Sequence, residues 1–127
     1  MSISVAAVVL RDEVGRVLTV RKRGTELFMF PGGKPEPGET MPMAAVREVR
    51  EELGIDLGID SLTMLGTFTS AAANEPGQTV EATVFTHPPM LIDGPSAEIE
   101  EIRWVLPNGS AAGLAPLLRD EVFPALG

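Results

Sequence analysis

Eight residues from Pro31 to Gly38 hold three prolines and three glycines, and neither a helix nor a long strand runs easily through such a stretch. Proline fixes φ and removes a backbone donor, while glycine admits conformations that other residues avoid. Residues 31–39 are therefore expected to form an ordered loop rather than a regular element. Directly after it, Met41 to Leu53 carries the signs of a helix. Thr40 can cap it, Pro42 is tolerated in its first turn and Gly54 can end it.

Around this centre the pattern alternates between strands and turns. Ser2 to Leu10 is apolar at nearly every position, which suits a strand buried on both faces. Asp12 to Gly15 reads as a turn and Arg16 to Arg23 as the returning strand. In it Val17, Thr19, Arg21 and Arg23 share one face, and Leu18, Val20 and Lys22 the other. Phe28 to Phe30 is a short apolar stretch. Leu62 to Ser70 and Thr79 to Thr86 are expected as strands around the loop 74–78, with a further strand at Ile102 to Leu106 and a closing helix at Leu114 to Leu126. No repeat or linker divides the 127 residues, and a single domain is expected.

The helix holds the most informative pattern. At about 100° per residue, Pro42, Val46, Val49 and Leu53 fall within an arc of about 60°, while Glu48, Glu51 and Glu52 occupy a separate arc of about 100° on the far side. Like charges at this spacing cost about 0.2–0.5 kcal/mol per pair, which a solvated surface tolerates. Taken alone, the three acids read as a solvated face. Their context points elsewhere. Clustered carboxylates are preferred oxygen ligands of Mg²⁺ and Mn²⁺, often completed by substrate phosphates. The double glycine just upstream lets backbone approach a ligand closely.

Composition narrows the field. With no cysteine, disulfides, thiolate zinc sites and cysteine nucleophiles are excluded. A net charge of -8, from 18 acidic and 10 basic residues, argues against a nucleic-acid polymer as partner. A small phosphorylated substrate stays compatible if metal ions neutralise its charge locally. The apolar run Val5 to Leu10 lacks a basic leader and is too short for a signal peptide or a membrane span. A soluble, cytoplasmic protein without a membrane partner is expected.

The segment from Gly33 to Ile55 resembles the signature box of the Nudix hydrolases: Gly, five residues, Glu, seven residues, then Arg-Glu-apolar-x-Glu-Glu-x-Gly-apolar. All nine specified positions are met, by Gly33, Glu39, Arg47, Glu48, Val49, Glu51, Glu52, Gly54 and Ile55. A pattern of this length with fixed gaps is highly specific. The resemblance implies an α+β fold, an α/β/α sandwich with a mixed central sheet. It also implies a hydrolase of the MutT-like type, cleaving a phosphoanhydride bond in a nucleoside diphosphate linked to another moiety.

The resemblance also implies residue roles. Glu48 and Glu52 match the principal metal ligands, Glu51 an additional one, and the carbonyl of Gly32 a backbone contributor; the ion is Mg²⁺, with Mn²⁺ as substitute. Arg47 matches a residue that pairs with the box carboxylates and orients them, and Glu39 one that holds the loop to the helix. The general base is either Glu48 or a later glutamate among Glu98, Glu100 and Glu101. Ordinary or oxidised nucleoside triphosphates are the favoured substrates. Nucleotide sugars, ADP-ribose and a non-catalytic nucleotide-binding domain are the alternatives, and a homodimer is compatible. Isoprenoid diphosphate isomerisation on this fold relies on a cysteine, which is lacking here.

Outside the box the signals are weaker. Lys34, Arg21 and Arg23 could touch phosphates, although exposed cations more often face solvent. Asn74, Glu75 and Gln78 could read a base or sugar. His87 reads as incidental, and Phe85 and Trp104 as core.

Overall fold

The computed structural model describes residues 2–72, 76–90, 92, 99–107 and 112–126. Asn74, Glu75 and Glu98 lie outside the described residues. In chain order the elements are β1 (Ser2–Val9), β2 (Val17–Lys22), β3 (Gly32–Gly33), α1 (Met41–Leu53), β4 (Thr63–Ala71), β5 (Thr79–Thr86) and β6 (Ile99–Val105). A π-helical turn, Leu117–Val122, then runs into the short helix α2, Phe123–Leu126. A 3-10 turn at Ile59–Ser61, unanticipated from the sequence, precedes β4.

Four strands form a mixed sheet in the order β3-β1-β5-β4, and β2 pairs with β6 in a separate ribbon. β1 runs parallel to β5 along its length and antiparallel to β3. Its alternate side chains feed two cores. Ala6, Val8 and Leu10 join Ala44, Ala45, Val49 and Leu53 of α1. Ala7 and Val9 join Leu117, Leu118, Val122 and Phe123 of the closing helical segment on the opposite face. Both faces of the central strand are thus covered from Ala6 onward, which is why its sequence is apolar there. This is the expected α/β/α sandwich.

The details depart from expectation in informative ways. β6 starts at Ile99 rather than Ile102 and ends at Val105, leaving Leu106 exposed. The register of its pairing with β2 shifts between Arg21 and Lys22, so Glu100 and Glu101 are both exposed and the two-residue alternation is lost. The closing helix starts at Leu117 rather than Leu114. Leu114 is held in a parallel bridge to Phe28, and the Ala115 N–H donates to the Phe28 carbonyl at 2.9 Å.

α1 spans the residues expected of it. The Thr40 hydroxyl accepts from the Met43 N–H at 3.3 Å, and Gly54 closes the helix at φ 70°. The division of its faces needs correction. Pro42 and Val46 are only half-buried, whereas the packed face is Ala44, Ala45, Val49, Leu53 and, among them, Glu52. The acidic arc does not lie on the far side of the helix. It runs from solvent at Glu51 into the core at Glu52.

Candidate active site

Two glycines allow the acidic edge of α1 to meet the sheet. Gly32 lies at φ 149° against β1, where a Cβ would collide with the Ala6 carbonyl. A Cβ at Gly33 would overlap the carboxylate of Glu48. Without side chains there, Glu48 and Glu52, one helical turn apart, lie against β3. The Gly32 N–H donates to Glu52 Oε1 at 3.1 Å, and Lys22 Nζ lies 3.4 Å from Glu52 Oε2.

Glu52 is 3% exposed, and its pKa is pushed up to about 7. Burial is the main cause. Neighbouring Glu48 adds to it, while Lys22 and the Gly32 N–H pull the other way. A shift of that size corresponds to a cost on the order of 3 kcal/mol for keeping the group ionised. Burial of Val49 and Leu53 on the same helix stabilises by about 3–6 kcal/mol, enough to offset it.

Arg47 organises the neighbouring acids. Its Nε and Nη2 donate to the two oxygens of Glu39 at 2.8 and 3.0 Å, Nη1 donates to Glu51 at 2.9 Å, and Nη2 also reaches the Lys34 carbonyl at 3.0 Å. Glu48 Oε2 lies 3.6 Å from Nη1. The paired fork from Arg47 is the main reason the Glu39 carboxyl is held below its usual pKa. Glu39 in turn accepts from the Glu36 N–H at 2.8 Å, and its own N–H donates to the Glu36 carbonyl at 2.9 Å. The loop is thereby fastened to the helix.

The structure thus brings Glu48, Glu52 and Gly32 together, and turns Glu51, its side chain 58% exposed, toward Arg47. A divalent ion fits the Glu48–Glu52 pair: the donors are all oxygen, and two carboxylates are placed side by side with one buried. Among the described residues no three His, Cys, Asp or Glu side chains converge as a ready-made cage. That suits an ion held by one or two carboxylates and completed by water and phosphate oxygens.

Beside this pair opens a cleft of about 420 Å³, within the range of small-molecule sites. Glu48, Gly32, Gly33, Lys34 and Lys22 line one end. The remainder is walled by β1, the start of β5, the end of β4, residues 29–30 and residues 115–118. Lys22 was missed as a site residue. Its signal was the two-residue alternation of β2, which places it on the α1 side with Leu18 and Val20.

Other candidates lie elsewhere. Arg21 pairs with Glu101 at 3.3 Å and Arg23 with Glu100 at 3.2 Å, and none of the four lines the cleft. Gln78 does not line it either; its carbonyl accepts from the Ala72 N–H at 3.0 Å. Phe85 is buried and Trp104 packs against the same core, as expected. His87 Nδ1 lies 2.8 Å from the Pro88 carbonyl, outside the cleft.

A family model for the NUDIX domain matches residues 1–126. The chain belongs to the Nudix family. It is 31% identical over 126 residues to a MutT-like protein of Streptomyces ambofaciens, covering 98% of this chain and 77% of that one. It is 33% identical over 86 residues to dihydroneopterin triphosphate diphosphatase of Escherichia coli K12, covering 67% of this chain and only 51% of that protein. The crystal structure of a MutT protein from Methanosarcina mazei superposes with a TM-score of 0.79 at 26% identity, covering 97% of this chain and 93% of that one. As a Nudix hydrolase, the chain belongs among pyrophosphohydrolases that act on nucleotide-type substrates. No helix among the described residues is long and apolar enough to cross a membrane.

Proposed function

We propose that residues 1–127 act as one catalytic domain that hydrolyses a phosphoanhydride bond of a nucleoside triphosphate, ordinary or oxidised, with Mg²⁺ or Mn²⁺ held at Glu48 and Glu52. The observation that carries this reading is the Glu48–Glu52 pair against the Gly32–Gly33 strand β3, at one end of a nucleoside-sized cleft. The E. coli relative, named for a triphosphate substrate, supports the choice of substrate. A cytoplasmic location fits such a substrate.

A divalent ion bound there supplies polarisation of phosphoryl oxygens and a more acidic water. The chain's own residues do the rest. Glu48 and Glu52 offer carboxylate oxygens for the ion, with Glu51 as a further ligand and the Gly32 carbonyl as a backbone one. In this reading Glu48, which lines the cleft, takes the proton from the attacking water, with Glu98, outside the described residues, as the alternative. Glu100 and Glu101 are engaged by Arg23 and Arg21 away from the cleft. Arg47 is a positioning residue that holds Glu39 and Glu51 and, through the Lys34 carbonyl, the loop. Lys34 and Lys22 place positive charge where phosphates would enter. Positioning and charge stabilisation account for most of the acceleration in chemistry of this type.

The test is Glu48→Gln assayed with Mg²⁺ on a nucleotide panel. Turnover should fall by about 10³-fold, with an unchanged circular dichroism spectrum. Near-normal turnover would remove Glu48 from this role. Absence of released phosphate, pyrophosphate or monophosphate from any nucleotide with the wild-type protein would instead favour a binding domain.

A further inference from the structure

One aromatic residue ties together two of the segments that wall the cleft away from Glu48. Phe28 is buried. Its N–H donates to the Gly113 carbonyl at 2.8 Å, and its own carbonyl accepts from the Ala115 N–H at 2.9 Å. Met29 and Phe30, which follow it directly, line the cleft, and so do Ala115, Leu117 and Leu118. Phe28 does not line it, yet its position sets where both walls stand.

Arg103 of β6 holds Phe28 in turn. Its guanidinium carbon lies over the Phe28 ring, 4.0 Å from the centre, a cation on an aromatic face. Its Nη2 donates to the Ala112 carbonyl at 2.6 Å, nine residues further along the chain. The backbone of Arg103 is fixed as well. β2 and β6 pair Thr19 with Arg103, and the buried Thr19 hydroxyl donates to the Arg103 carbonyl at 2.7 Å. Arginine combines what this place uses, a flat cation to stack on a ring and a directed donor at its rim. Arg103 does not line the cleft either.

We infer that Arg103 is a positioning residue for substrate affinity: through Phe28 and Ala112 it keeps residues 29–30 and 115–118 in place against the organic half of the substrate. It does not act on the reaction centre. Phe28 and both walls belong to the core on one face of the sheet, whereas α1, which carries Glu48 and Glu52, packs into the core on the opposite face. Without the stacked cation and its donor, fewer molecules hold both walls in place, and apparent affinity falls in proportion to that fraction. The phosphate end is left as it is.

The inference rests on the nucleotide reading above, so binding is measured apart from turnover, with Mg²⁺ throughout. Arg103→Met keeps an apolar stem but neither the cation nor the donor. For the nucleotide that wild type turns over fastest, KM should rise about tenfold, as should Kd for its α,β-methylene analogue. Both kcat and the Kd of inorganic pyrophosphate should stay within about twofold, because only binding of the organic half is lost. Arg103→Lys keeps charge and a donor but not the plane, and should lie between, at about threefold; it replaces the Met variant if that one does not fold. An unchanged KM in a folded variant, with only a lower melting temperature, would overturn the inference. So would a fall in kcat or a weakening of pyrophosphate as large as the rise in KM. Failure of both variants to fold would assign Arg103 to the whole domain and overturn it too. If wild type turns over no nucleotide, the reaction reading fails by itself, and Kd values for the α,β-methylene analogues of dATP, dCTP and dGTP decide. Tenfold weakening in Arg103→Met then upholds the positioning role. Equal affinities, or no binding to wild type, reject it.

Discussion

Glutamates occur in two places in this fold, with opposite surroundings. On α1, Glu48 and Glu52 lie against the glycine strand β3, partly or wholly out of water, with Lys22 paired to Glu52. On β6, Glu100 and Glu101 stand exposed, each facing an arginine across the ribbon. Both pairs looked plausible as catalytic acids. What separates them is access to the cleft and the cost of ionisation. An exposed acid pays little to stay ionised, whereas a buried one crowded by a like charge gains more from a bound cation.

This contrast can be broken most sharply at Gly33. Gly33→Ala puts a methyl where the Glu48 carboxylate lies, and misplacement of a reacting group by about 1 Å costs roughly 10²-fold. Steady-state kinetics should show that loss with the fold intact; unaltered kcat would mean that Glu48 need not sit against β3.

Glu52 sharpens it through stability. Its raised pKa means that, in metal-free protein, the folded state keeps a proton that the unfolded chain releases above about pH 4.5. The contribution of this group to stability therefore declines as pH rises from 4.5 to about 7, by on the order of 3 kcal/mol, and is level beyond. Glu52→Gln retains an acceptor for the Gly32 N–H and removes that decline. Melting curves in EDTA should show the variant gaining on wild type across this window, although it should lose turnover. Parallel curves would show that Glu52 ionises freely.

The smallest effects belong to β6. Glu100→Gln and Glu101→Gln break exposed ion pairs worth about 0–1 kcal/mol and should change turnover by less than twofold. A large loss from either would return the general base to β6.

Legibility in the sequence followed distance along the chain. The glycine pair, α1 and its carboxylates lie within 23 consecutive residues, so the box and its helix could be read directly, although Gly32–Gly33, expected in a loop, forms β3 by pairing with the distant β1. The direction of the acidic arc could not. It depended on small residues, Ala44 and Ala45, packing against Ala6 and Val8 of a distant strand and rotating Glu52 inward. The apolar end of the cleft was also hidden. Ile3, Val80 and Leu117 come from widely separated segments and, residue by residue, look no different from core. Lys22 needed the β2 alternation and the position of α1 together.

Gly32 and Gly33 have a consequence for how such a protein can change over generations. A methyl group at Gly32 would strike the backbone of β1, and one at Gly33 would push aside the carboxylate of Glu48. Mutation is therefore barred from reworking the reaction centre piecemeal, while the scattered hydrophobic wall can drift one segment at a time. New substrates would be acquired on that side, leaving the hydrolytic apparatus as inherited.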